Sequence, residues 1–123
     1  MRGHRVWVIP EGYIPGRSFS DKPELISHEA ACLLNVADTE ARVEITLYFE
    51  DREPAGPYRV DLPARRTKHL RFNDLDSPEK VPRDKAYASM IRANAPIFVQ
   101  HTRLDSRDPH IAIMTTMAFP VTE

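Results

Sequence analysis

The sequence predicts an all-β domain of about eight strands, arranged as a sandwich or a barrel. Apolar and polar residues alternate with a period of two in several segments, which is the pattern of a strand buried on one face. Pro, Gly, Asn or Asp bounds each of these segments, as expected for the turns between short strands. No segment has the periodicity of a long helix. A chain of 123 residues has the length of about one domain, so residues 1–123 are predicted to form a single domain.

The clearest pair of strands lies within residues 42–62. Asp51–Pro57 separates two alternating segments and contains prolines, which lack the N–H donor that a strand interior needs. The two segments are therefore predicted to form a hairpin. Its inward-facing side chains are predicted to be Val43, Ile45, Leu47, Phe49, Tyr58, Val60 and Leu62.

Six further segments have the β-branched and aromatic composition of strands. They are Arg5–Ile9, His28–Val36, Thr67–Phe72, Ala86–Arg92, Pro96–Leu104 and Ile111–Phe119. Residues 76–85 are expected to hold one helical turn, which would begin at Pro78 and end at Pro82.

The overall composition limits the classes of function. The net charge is −1, so the chain as a whole has no strong attraction for nucleic acid. Cys32 is the single cysteine, which excludes an intrachain disulfide, and its apolar neighbours indicate a buried, inert thiol. The apolar run after the basic N-terminus is too short for a signal peptide, and no stretch approaches the roughly 20 apolar residues of a membrane span. The sequence thus predicts a cytoplasmic protein.

No motif of catalysis or metal binding is present. The chain has no Gly-x-Ser-x-Gly elbow, no phosphate-binding loop and no dinucleotide-binding glycine pattern. The spacing of His28, His69 and His101 fits no short zinc motif. We therefore expect neither an enzyme nor a bound cofactor or metal.

One segment concentrates positive charge. Five of the seven residues from Arg65 to Arg71 are basic or potentially basic, and strand alternation would place Arg65, His69 and Arg71 on one face. Such a face suits phosphate, carboxylate or an acidic protein. The alternative is a solvated edge strand whose charges prevent aggregation.

Two other segments are candidates for a site. The polar segment Gln100–Arg107 follows an apolar strand, so it either leaves the core or lines a site, and Arg103 with Asp105 is expected to form a loop ion pair. In Glu11–Gly16, the glycines allow tight turns near a ligand, although ordinary connecting structure explains them equally well.

Two predicted strands, His28–Val36 and Ile111–Phe119, contain few charges on either face. Central strands of a sandwich have this composition, and so does a face that a second subunit covers. Both interpretations remain open at this stage.

Several runs of residues resemble the sensory rhodopsin transducer family. The resemblance extends from Trp7 to about Ala118, whereas Gly16–Glu24 and the C-terminal tail match poorly. Pro63–His69 and Gln100–Arg107 are the most specific of these runs. The matching segments are Glu11–Pro15, Ile26–Glu29, Val43–Thr46, Gly56–Arg59, Pro63–His69, Arg71–Leu75 and Val99–Arg107.

The resemblance implies a jelly-roll-like β-sandwich that assembles as a homotetramer. It also implies a non-catalytic partner of the cytoplasmic face of a seven-helix photoreceptor, with a proposed link to transcription through DNA or protein binding. If the partner is DNA, the basic segment Arg65–Arg71 is expected to contact its phosphates. The alternative is a sensor of a small ligand, a sugar or an anion, in an organism without a rhodopsin. The candidate binding residues are Glu11, Gly12, Tyr13, His28, Arg65, Arg66, Lys68, His69, Arg71, Asn73, Gln100, His101, Arg103 and Asp105.

Overall fold

The computed structural model describes residues 3–122 and confirms an all-β domain. Two short 3-10 turns, Pro23–Leu25 and Phe72–Asp74, are its helical elements, and no helix within residues 3–122 is long and apolar enough to cross a membrane. The strands are β1 (His4–Tyr13), β2 (His28–Asn35), β3 (Ala41–Tyr48), β4 (Ala55–Leu62), β5 (Arg66–Arg71), β6 (Ala86–Asp105), β7 (Ala112–Met117) and β8 (Phe119–Val121).

Strand β6 runs through both halves of a continuous antiparallel sheet. Its first part pairs with β1 and β3, which gives the strand order β4-β3-β6-β1-β8. Its second part pairs with β2 and β7, and β5 lies beyond β2. One cluster of buried side chains draws on both halves, so they pack face to face as a β-sandwich.

The alternating apolar side chains of β3 and β4 face the core, as predicted. The two strands form an antiparallel hairpin in which Val43 lies opposite Val60 and Ile45 opposite Tyr58. Six of the seven side chains predicted to face inward are buried, all except Phe49. Phe49 follows the end of β3 and is partly buried at the rim, where the Arg52 guanidinium lies 4.7 Å from the centre of its ring.

Four predictions of local structure were wrong. Strand β1 continues beyond Ile9 to Tyr13, so Glu11–Tyr13 is part of a strand and not of a loop. The two strands predicted at residues 86–92 and 96–104 are one strand, because Asn94 and Pro96 lie at the crossing between the sheet halves, where no ladder bond needs the missing N–H of proline. The single strand predicted at 111–119 is divided at Ala118, whose N–H donates to the Val99 carbonyl. The helical turn predicted at Pro78 is absent, and residues 76–85 form an irregular loop.

Candidate functional site

The centre of the candidate site is the carboxylate of Glu29, which is 1% exposed. Glu29 faces inward from β2, on the same side as the buried side chains of Ala31 and Leu33. A carboxylate removed from water is strongly destabilising unless hydrogen bonds and an opposite charge replace its hydration. Its partners therefore determine whether this part of the core can form.

Two residues of β6 supply most of those partners. Arg103 lies directly opposite Glu29 in the β2–β6 ladder, and its guanidinium makes two bonds to the carboxylate, from Nε to Oε2 at 3.1 Å and from Nη2 to Oε1 at 3.0 Å. His101 faces the same way two residues earlier, and its Nε2 lies 3.2 Å from both carboxylate oxygens. The fork geometry matches the planar carboxylate and fixes both side chains.

Strand β1 completes the site through its C-terminal end. The backbone N–H of Tyr13 donates to Glu29 Oε1 at 2.8 Å, and Arg103 Nη2 also reaches the exposed Glu11 carboxylate at 3.2 Å. A register shift between Ile9 and Gly12 brings this end of β1 towards the site. A Cβ on Gly12 would lie 2.6 Å from the Tyr87 ring, so this close approach requires glycine.

Asn73 connects the site to the 3-10 turn at Phe72–Asp74. Its side-chain oxygen accepts from the Glu29 N–H at 3.3 Å, and its amide donates to the Ser27 carbonyl at 3.0 Å. His28 points to the opposite face of β2, where its Nδ1 lies 2.7 Å from the Ile26 carbonyl. Burial lowers the pKa of His28, so the imidazole is neutral near pH 7.

Electrostatics keep the buried pair ionised. Burial acts to raise the pKa of Glu29, but hydrogen bonds from His101 and Arg103 outweigh burial and hold that pKa below its usual value. Burial acts in the opposite sense on Arg103, whose pKa is nevertheless raised by its bonds to Glu29. The site thus contains a charged, fully hydrogen-bonded carboxylate next to a guanidinium, which suits structural positioning and charge recognition more than proton transfer.

The basic segment lies apart from Glu29, on the edge strand β5. Arg65 precedes this strand in a turn with φ of 55° and pairs with Asp38 at 2.6 Å, so it does not continue a row with His69 and Arg71. Arg71 donates to the Pro23 carbonyl at 3.0 Å. Lys68 is exposed although its alternation points it towards the core side, as charged residues often are on edge strands.

The sequence-predicted residues are thus divided between several places. Glu11, the Tyr13 backbone, Asn73, His101 and Arg103 surround Glu29. The remaining polar residues lie elsewhere: Gln100 bonds Thr115 at 2.9 Å on the outer face, and Asp105 pairs with Arg107 at 2.7 Å. The expected ion pair between Arg103 and Asp105 is therefore wrong.

Glu29 itself was missed as a site residue. A glutamate in register with the apolar residues of a strand is the pattern that identifies such a carboxylate. Residues 3–122 contain no group of three or more His, Cys, Asp or Glu side chains arranged to hold a metal ion.

An apolar groove of about 260 Å³ adjoins the site. His101 lies in its wall together with Ile9, and Met114, Met117 and Phe119 of the edge strands also line it. All six residues of β7 are exposed, so its inner face is not covered by the rest of the described chain. This side of the sandwich offers an apolar surface to a partner.

Comparison with known proteins assigns the domain to a family. Residues 2–120 match the family model described as Anabaena sensory rhodopsin transducer. The solved structure of the Anabaena sensory rhodopsin transducer is 57% identical, with a TM-score of 0.76 over 85% of this chain and 91% of that one. The crystal structure of protein 1070 from Thermotoga maritima is 35% identical, with a TM-score of 0.87 over 98% of this chain and 97% of that one. No curated protein sequence matches the chain.

Replacing Arg103 tests the importance of the buried pair. Arg103→Gln leaves the Glu29 carboxylate without its main counter-charge, and we expect it to lower the free energy of unfolding by about 3–5 kcal/mol. Arg107→Gln is the matched control, because its pair with Asp105 is more exposed and is expected to contribute less than about 1 kcal/mol. Urea denaturation at one protein concentration measures both, and equal effects would contradict the role given to Glu29.

Proposed function

Since the chain belongs to the Anabaena sensory rhodopsin transducer family, we propose that it is a non-catalytic, cytoplasmic signalling protein that receives its input from a microbial sensory rhodopsin. The observation that carries this proposal is the 57% identity to the Anabaena transducer over 85% of the chain. The region that matches the family model, residues 2–120, includes every residue around Glu29. A rigid sandwich with exposed edge strands supports a role in presenting surfaces to other macromolecules.

The direct test is binding to the receptor. When a sensory rhodopsin from the same genome is reconstituted in lipid vesicles, the chain is expected to bind the vesicles and float with them. The bound amount should differ between dark and illuminated samples. Vesicles containing an unrelated seven-helix retinal protein are the control. A genome without any rhodopsin gene, or equal recovery on both kinds of vesicle, would argue against the proposal.

The output of the signal is proposed to pass through the basic edge strand to DNA or to an acidic protein. Arg66 and Lys68 are exposed and form no salt bridge within residues 3–122, so their charges are available to phosphates. Arg65 is already paired with Asp38, which reduces its contribution. Contacts of this kind bind DNA without strong sequence preference and weaken steeply with salt.

A double replacement tests the DNA arm. Removing two phosphate contacts with Arg66→Gln/Lys68→Gln is expected to reduce the slope of log K against log salt by about 1.8, at roughly 0.9 per phosphate neutralised. Arg59→Gln is the control: Arg59 is an exposed arginine of β4 that pairs with Glu44 of β3, and its replacement should leave the slope unchanged. Fluorescence anisotropy over a salt series measures the slope, and an unchanged value in the double variant would limit β5 to a role in solubility.

A homotetramer is also proposed, on the basis of the exposed apolar edge. Ile113, Met117 and Phe119 are 68%, 54% and 64% exposed and lie on consecutive edge strands. A patch of this kind on a small protein is typical of an interface, and closed symmetry would cover the same edge in every subunit.

Charge introduced at this edge is expected to dissociate the assembly. Ile113→Asp/Phe119→Asp should shift the mass in sedimentation equilibrium to that of the 14.1 kDa monomer. Val36→Asp is the matched control, since Val36 is 50% exposed just after β2, and β6 lies between β2 and β7. A wild-type chain that sediments as a monomer at micromolar concentration would contradict the proposal.

A sensor of a small ligand is the second candidate function. It is supported by a polar cleft of about 800 Å³ beside the loop at residues 15–21, which is within the size range of ligand sites. This candidate applies where no rhodopsin gene accompanies the chain. Ligand at a hundredfold excess over Kd would then stabilise the domain by about 2.7 kcal/mol.

A further inference from the structure

We propose that this polar cleft is a binding site for a small organic anion, a carboxylate or a phosphate ester, held by Arg17 and Arg83. The cleft lies between the loop that follows β1 and the segment around Asn73. It is separate from the groove beside His101 and from the basic strand β5. The site is independent of the proposed transducer function.

Arg83 is held in place by neutral groups. Its Nη1 donates to the Val81 carbonyl at 2.7 Å, and its Nη2 donates to the Asn73 carbonyl at 3.2 Å. A guanidinium has five N–H donors, so three of them have no partner within residues 3–122. The side chain is thus fixed without being neutralised, which is the condition that favours a two-point bond to an incoming carboxylate or phosphate.

Arg17 supplies a second positive charge on a loop that is firmly anchored. Its side chain has no hydrogen bond or salt bridge to the part of the chain that the structure describes. Its carbonyl accepts from the buried Ser27 hydroxyl at 3.0 Å, and the Ser27 N–H donates to Ser18 Oγ at 2.7 Å. The Phe19 N–H donates to the Ser106 carbonyl at 2.7 Å. An anchored loop loses little entropy on binding, which favours affinity.

The chemistry of the lining selects an anion with an organic part. Among the lining residues, two arginines and one aspartate, Asp21, give a net charge of +1. The carboxylate of Asp84, which accepts from the Gly16 N–H at 2.9 Å, is not among the lining residues. Phe19, which is 44% exposed, adds an apolar surface for a carbon skeleton. An inorganic ion would leave that surface unused.

Two residues of the cleft, Arg17 and Phe19, lie in residues 16–24, one of the segments that match the transducer family poorly. The rest of the sandwich serves as the scaffold, and this loop supplies the specificity.

Amide chemical shifts of the ¹⁵N-labelled protein provide the test. Separate titrations with inorganic phosphate, glycerol phosphate and succinate at constant ionic strength, with chloride as the reference, are expected to shift residues 16–20, Ser27 and Asn73 in a saturable way. Arg17→Gln should weaken the apparent Kd at least about tenfold, which is a loss of about 1.4 kcal/mol. Arg66→Gln is the matched control, because Arg66 is also exposed and bonded to a carbonyl alone, and it should leave Kd unchanged.

The outcomes separate the sources of the anion. Tighter binding of glycerol phosphate than of succinate identifies a phosphate ester, and the reverse order identifies a carboxylate. Arg17 makes no side-chain bonds within residues 3–122, so a weakened Arg17→Gln variant is not explained by unfolding. Shifts that fail to saturate with all three probes, or an equal loss in Arg66→Gln, would overturn the site and leave the receptor-binding test unaffected.

Discussion

Glu29 holds a buried carboxylate between the two halves of the sandwich, and strands β1 and β6 supply groups that keep it charged. The Tyr13 N–H comes from β1, Glu29 from β2, and His101 and Arg103 from β6. An unpaired charge in this position would cost several kcal/mol, so the three strands must adopt their native register together. The interaction therefore specifies one arrangement of the strands, in addition to the stability that apolar burial gives.

Strand β6 extends the effect of this ion pair to the whole sandwich, because β6 is a member of both sheet halves. Its alternation places Ile91 and Val99 in one core and continues to His101 and Arg103 at the charged end. The period-two pattern of the sequence predicted the fold class and the β3–β4 hairpin, since these follow from which faces are apolar. It did not predict that Pro96 lies inside a strand, because that depends on where ladder bonds are missing at the crossing between halves.

The candidate site was predicted less completely, for a related physical reason. Polar residues at strand ends indicated His101 and Arg103, and the resemblance to the family added Asn73. The pairing of Arg103 with Glu29 depends on the register of β2 against β6, which is a non-local property. Asp105, which follows Arg103 by two residues in the chain, pairs instead with Arg107. Sequence proximity therefore suggested the wrong partner for Arg103.

The two edge surfaces of the domain are positioned by the same scaffold. The edge strands β5 and β7 differ in character, one basic and the other apolar, so a single sandwich can meet different partners on its two edges. Both edges are held at fixed positions by their pairing with β2 and β6, the strands that carry the ion pair. The structure around Glu29 thus supports both surfaces, and His101 also contributes to the wall of the apolar groove.

The most direct test of the role of Glu29 is a pH titration of its carboxyl group, followed by ¹³C NMR of the carboxyl carbon. A carboxylate that Arg103 and His101 hold in its charged form is expected to titrate below the usual glutamate pKa of about 4.3. Stability contributed by the pair would then be present above that pH and lost as the pH falls through the lowered pKa. A midpoint at or above the usual value would mean that burial dominates, and would contradict the account.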